Sequence, residues 1–189
     1  RWSDPIAVKD VLYTATSQNC GGAPNAIWAI DLAGENKPVT SWTTKGGGVV
    51  GALTFTTDGT LLAAIGPGPV TPGGYTNAIV AFDSKTLHVK DWFTSPTVQW
   101  ASAPLVFRHD NKDVVAVATR DGRVLLLDAA SLGGGDHATP LSASPALTTT
   151  TATFAPEALA MWQETSTESQ AGTRWLLVPT NTAIVALNA

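Results

Sequence analysis

Four short apolar segments each close on a side chain that could do acid–base or metal chemistry. They are Ile27–Asp31 (IWAID), Ile79–Asp83 (IVAFD), Val124–Asp128 (VLLLD) and Ile184–Asn188 (IVALN). Three carboxylates at one repeated position could act as proton carriers or oxygen ligands. The fourth member is an amide, which accepts a hydrogen bond but takes no proton. What Asp31, Asp83, Asp128 and Asn188 can all do is accept backbone N–H groups just past a strand end, as in an Asx turn. They are therefore read as structural. His88, His109 and His137 lie far apart, without metal-ligand spacing, and read as solvated turn or strand-end residues. Cys20, the single cysteine, sits in a loop with no base partner to activate it. Gly46–Gly48 and Gly133–Gly135 follow no phosphate-loop pattern and read as flexible connections. No catalytic residue and no metal ligand set emerges.

The elements that would carry these residues repeat. The four C-type segments begin 52, 45 and 60 residues apart, at residues 27, 79, 124 and 184. Each follows a B-type run: Val11–Thr16, Leu61–Gly66, Val114–Thr119 and Trp175–Thr180. Each B run follows an A-type run: Pro5–Val8, Ala52–Phe55, Pro104–Phe107 and Ala158–Trp162. D-type segments follow around Trp42 and Trp92, and weakly near Leu141. The B and C runs are apolar at consecutive positions, which means burial on both faces. A β-propeller supplies that burial, because each small antiparallel sheet lies between two neighbours. Repeats of 45 to 60 residues suit propeller blades. Thr57-Asp58-Gly59 and Arg120-Asp121-Gly122 supply hairpin turns. The best helical candidate, 155–162, is short.

The expected fold is all-β: a propeller of four-stranded antiparallel blades, about four of them, at 4–50, 51–100, 101–153 and 154–189. Trp42 and Trp92 share one repeat position and are expected to dock blade on blade. Trp2 and Trp100 precede strand A, in connections that approach the axis on one face, and with Arg120 they are the candidate ligand-binding residues. The B–C connections are long in units one and two (residues 17–25 and 67–77) and tight in units three and four. Blade topology puts B–C and D–A loops on the same face, where a propeller carries recognition.

Composition sets outer bounds. The 189 residues carry 14% charged side chains, well below the roughly 25% typical of soluble proteins. The net charge of −4 argues against a nucleic-acid partner. No apolar run approaches the ~18 residues of a membrane span.

The stretches Asn25–Asp31 running to Trp42, and Asn77–Asp83 running to Trp92, resemble the repeats of quinoprotein-type (PQQ-like) β-propellers. The shared pattern is a buried strand with Ala-x-Asp, then a turn, then a docking Trp. Here Ala-x-Asp is Ala29 to Asp31 and Ala81 to Asp83. The turn departs from the pattern, since Lys85-Thr86-Leu87 lacks its glycine. The resemblance implies a bacterial, periplasmic or secreted setting. It implies two functions: a non-catalytic scaffold or binding module, or part of a PQQ-dependent alcohol- or sugar-dehydrogenase-like oxidoreductase. Such dehydrogenases carry a vicinal Cys-Cys disulfide, which one cysteine cannot form. No cofactor is expected for this chain alone; PQQ with calcium is the expectation for a longer parent. Only three D segments match four A, B and C segments. The expected partners are therefore the remaining blades of a parent chain or a second copy, with a protein partner on the loop face. A small closed four-bladed ring is the alternative.

Overall fold

A computed structural model describes residues 3–148, 154–165 and 172–189, the side chain of Cys20 excepted. Fifteen strands form four antiparallel sheets among the described residues. Blade 1 is β1 (Ile6–Val8), β2 (Val11–Thr16), β3 (Ala26–Asp31) and β4 (Val39–Thr43). Blade 2 is β5 (Val49–Phe55), β6 (Leu61–Ile65), β7 (Ala78–Phe82) and β8 (Val89–Thr94). Blade 3 is β9 (Leu105–His109), β10 (Lys112–Ala118), β11 (Val124–Asp128) and β12 (Ser142–Ala143). Blade 4 is β13 (Ala160–Gln163), β14 (Arg174–Pro179) and β15 (Ile184–Asn188). Strands pair in chain order within each blade, so each is an up-and-down meander. Among the described residues the fourth blade has three strands.

Two-sided burial is clearest in blade 2, where every residue of β6 and β7 is buried. Alternate side chains of those strands enter two different cores. Leu61, Ala63, Ile65, Val80 and Phe82 meet blade 1; Leu62, Ala64, Ile79 and Ala81 meet blade 3. A third core joins blades 3 and 4 around Phe107, Ala116, Val124, Phe154, Leu176 and Val178. Each fully buried Leu, Ile, Val or Phe contributes roughly 1.5–3 kcal/mol, so these interfaces carry most of the stability. None of the three cores joins blade 4 to blade 1. The described residues thus form an arc with three interblade cores.

Two local expectations change. The second blade begins at Val49, two residues before 51, because a bulge lets the strand run through a glycine. The β5–β6 register breaks between Val50 and Thr54, and Gly51 takes φ +68°. The segment 155–162 is no helix: its second half starts β13, paired with β14. The expected boundary at 153 falls outside the described residues.

Candidate functional site

The structural residues come first, because they set the blade ends. Asp31 Oδ1 accepts the N–H groups of Ala33 (3.0 Å) and Gly34 (2.9 Å). Asp83 Oδ1 accepts those of Lys85 (3.0 Å) and Thr86 (2.8 Å), and the Thr86 hydroxyl. Asp128 Oδ1 accepts Ala130 N–H at 2.9 Å. The Thr86 amide, above all, holds the Asp83 carboxyl below the ordinary carboxylate range. These are Asx turns. Asn188 ends β15 opposite Trp175 and is exposed. Trp42 packs edge-on against Phe82 of the next blade, ring centroids 4.6 Å apart, and against Tyr75 at 5.6 Å. Trp92 meets Tyr75 at 6.0 Å and stacks on His137 at 3.9 Å.

At the axis, on the face of the B–C and D–A loops, lies a cleft of about 560 Å³ lined by all four blades. Blade 1 supplies Asp4 and, from its long B–C loop, Ser17 and Gln18. Blade 2 supplies Gly48–Ala52 and, from its own long loop, Gly66 and Pro67. Blade 3 supplies Trp100, Ala101, Ala103 and Arg120. Blade 4 supplies Ala155, Glu157 and Ala158.

Main-chain fastenings position these residues. Ser3 Oγ accepts Ala15 N–H at 2.8 Å, and Ser102 Oγ accepts Ala118 N–H at 2.9 Å. The two serines sit two residues before Pro5 and Pro104 and do the same job: each ties a strand lead-in to its own B strand, placing Asp4 and Ala103 at the cleft. Arg120 N–H donates to Gln99 O at 2.7 Å, in a turn closed by Thr119 N–H to Arg123 O at 2.9 Å. Glu157 is held in a left-handed conformation, φ +55°. Its N–H donates to Ala101 O (3.1 Å) and its carbonyl accepts Ala103 N–H (3.0 Å). That clamp carries its carboxylate from blade 4 to the wall made by blade 3.

Trp100 and Arg120 therefore share one cleft, while Trp2 lies outside the described residues. Trp100 is only 1% exposed, its ring packed against Phe93 at 5.9 Å, so it supports the wall more than it presents a face. Asp4 and Glu157 carried no repeat signal in the sequence. The Ser-x-Pro spacing of Ser3 and Ser102 was the available clue to the lead-ins. A second cavity of about 750 Å³ lies between the hairpin tips of blades 3 and 4, on the opposite face. Its two arginines are engaged there: Arg174 donates to Arg108 O, and Arg108 to Asn111 O.

The donor set does not fit a calcium-bound quinone. Among the described residues no group of three or more His, Cys, Asp or Glu is placed to hold a metal ion, and one cysteine makes no vicinal disulfide.

No protein-family model matches the sequence, and no curated protein does. Among solved structures, BamB from Moraxella catarrhalis is similar over 93% of this chain, with 14% identity and a TM-score of 0.51. Quinohemoprotein alcohol dehydrogenase from Comamonas testosteroni aligns with 75% of this chain, with 12% identity and a TM-score of 0.48. The chain spans 41% of the length of the first and 20% of the second. The likeness to BamB together with the four blades shows the fold: the chain is built of β-propeller blades.

Proposed function

We propose that the chain is a non-catalytic β-propeller binding module that takes a segment of a partner protein into the axial cleft. The observation that carries this reading is that all four blades, including both long B–C loops, line one cleft. Its lining includes small residues (Gly48, Gly51, Ala52, Ala101, Ala103), so few side chains project into it. Asp4, Glu157 and Arg120 offer charges of both signs at its walls, which suits a peptide carrying donors and acceptors. An extracytoplasmic, periplasmic location accompanies this reading. PQQ with calcium belongs in it only to a longer parent.

Peptides selected from a displayed library against the wild-type chain test it. Most binders should lose at least tenfold in affinity in the double variant Arg120→Ala, Glu157→Ala. Binders indifferent to both substitutions would place recognition elsewhere. A thermal shift of several degrees on adding micromolar PQQ with calcium would favour the oxidoreductase reading, since a ligand stabilises the native state by mass action.

A further inference from the structure

The rim strands of blades 1, 2 and 3 are protected differently. In blade 2, Ser95 N–H donates to Asn77 O, so the alternation of an antiparallel ladder leaves the main-chain groups of Trp92 and Thr94 pointing outward. The C–D connection of blade 3, residues 129–141, covers them. Thr94 N–H donates to His137 O at 2.8 Å, and His137 Nδ1 lies 2.9 Å from Trp92 O. β8 also carries Lys90 and Asp91, and its register shifts between Ala81 and Phe82. In blade 3 the rim strand is only Ser142–Ala143, between Pro140 and Pro145. Charge, irregular register, proline and shortness all keep a sheet edge from pairing further.

β4 has none of these along its length. It is five uncharged residues, VTSWT, in unbroken register with β3. Asp31 N–H donates to Pro38 O, and Thr44 N–H to Asn25 O, each at 3.0 Å. Thr40 and Trp42 therefore bond inward. The N–H and C=O groups of Val39, Ser41 and Thr43 point outward, without partners among the described residues. By the pattern of blade 3, blade 2 would supply their cover. Its C–D connection is only residues 83–88, wound into the Asp83 turn, with Ser84 O taken by the Tyr13 hydroxyl. An internal element of the chain thus leaves this edge open. The edge is also preformed, because Trp42 is pinned against Phe82 of blade 2, so little ordering opposes the addition of a strand.

We propose that the outer edge of β4 takes an extended segment of a partner protein as a fifth, antiparallel strand of blade 1. Side-chain type and charge select the occupant. Val39, Thr40 and Thr43 are β-branched and pair well with an uncharged, β-branched centre. Lys45, exposed just past the strand, makes no ion pair among the described residues, and the sequence has no acidic residue from Lys37 to Thr57. An antiparallel segment with carboxylates at its N-terminal end meets that lysine. A second copy fits less well. Pairing the three outward residues with those of another β4 sets Lys37 opposite Lys45 at both ends, and like charges so placed repel. Two rigid rims would also touch along a single strand of about 17 Å, well short of a stable dimer interface. None of the β4 residues lines the axial cleft.

Fluorescence anisotropy with a labelled synthetic peptide, EETVTVT, tests the proposal on the whole chain. Saturable binding below about 1 mM is expected. Methylating one alternate set of the peptide's amide nitrogens should abolish it, and methylating the other set should leave it, because only every second residue of an added strand bonds the edge. Ser41→Pro deletes an outward N–H without touching the β3 ladder, and Val39→Lys puts a charge on the edge. Each should weaken binding about tenfold or more with far-UV circular dichroism unchanged; if the proline variant fails to fold, Val39→Lys decides. Lys45→Glu should switch the preference from EETVTVT to KKTVTVT. The double variant Arg120→Ala, Glu157→Ala should bind as wild type does, so the edge and the cleft fail separately. Absence of saturable binding overturns the proposal, as does binding indifferent to both methylated sets, or binding that survives Val39→Lys and is lost in the cleft variant. A wild-type dimer in sedimentation velocity that Val39→Lys splits gives the edge to a second copy and overturns it too.

Discussion

Trp92 and His137 stack with ring centroids 3.9 Å apart and planes 14° from parallel. Trp92 lies in β8, at the outer rim of blade 2; His137 belongs to the C–D connection of blade 3. The imidazole is held by more than the stack. Its Nδ1 lies 2.9 Å from Trp92 O and 3.0 Å from Asp91 Oδ1. Both are acceptors, so the ring proton sits on Nδ1. Asp91 also accepts Leu132 N–H at 2.7 Å, so one carboxylate fastens the same connection twice. A histidine read as solvated is thus a rivet between blades.

His137→Ala is expected to destabilise the fold by about 1–3 kcal/mol, combining a lost aromatic contact and a lost hydrogen bond. His137→Phe should recover part of the loss by restoring the stack. Urea denaturation midpoints check both, and an alanine variant as stable as wild type would contradict the rivet.

Four carboxylates lie below their ordinary range: Asp58 through the Thr56 hydroxyl, Asp83 through the Thr86 amide, Asp136 through the Ala138 amide, and Glu164 through the Trp175 indole. A group depressed on folding contributes stability that is present above its unfolded value and lost as pH falls through the folded one. The ordinary values are 3.8 for the aspartates and 4.5 for the glutamate. The melting temperature should hold from pH 7 to about pH 5, then fall progressively below pH 4. Asp83→Asn keeps an acceptor for the turn but loses the charge, so its drop between pH 6 and pH 3 should be smaller. An equal or larger drop in the variant would contradict the assignment.

Gly51 combines a positive φ of 68° with a tight neighbour, since a Cβ there would lie 2.8 Å from Ala103 Cβ and 3.0 Å from its N. Gly51→Ala is expected to cost about 2–4 kcal/mol, from left-handed strain and overpacking together. The strand should bend away from blade 3 and open the cleft floor. Thermal melting reads the first effect, and affinity for a cleft-selected peptide reads the second. A neutral result in both would show that the bulge is not required.

Much of the fold was legible in the sequence because the repeat is local. Every C strand ends at its Asp or Asn or, in blade 2, one residue before it, and unbroken apolar runs such as Leu61–Ile65 announced burial on both sides. The count of three D segments foretold the three-stranded fourth blade. What escaped notice depends on contacts between segments distant in sequence. Gly46–Gly48 read as a flexible connection, yet a Cβ on Gly47 would sit 1.9 Å from Gly66 O, because two connections cross there. His137 lies 45 residues from Trp92, and no local pattern pairs them. Trp100 and Arg120, expected on one face, do line one cleft. Glu157 was not, because its place comes from main-chain bonds to Ala101 and Ala103 in another blade.

Two-sided burial of the middle strands is the physical core of the fold, and hydrogen–deuterium exchange resolved by peptide mass spectrometry tests it most directly. The slowest amides should fall in Leu61–Ile65, Ala78–Phe82, Lys112–Ala118 and Val124–Asp128, which pair on both edges and pack on both faces. The rim strands Val39–Thr43, Val89–Thr94 and Ser142–Ala143 pair on one edge only and should exchange sooner. Rim strands as slow as the middle ones, or uniformly fast exchange across blades 2 and 3, would contradict the stacked-blade arrangement.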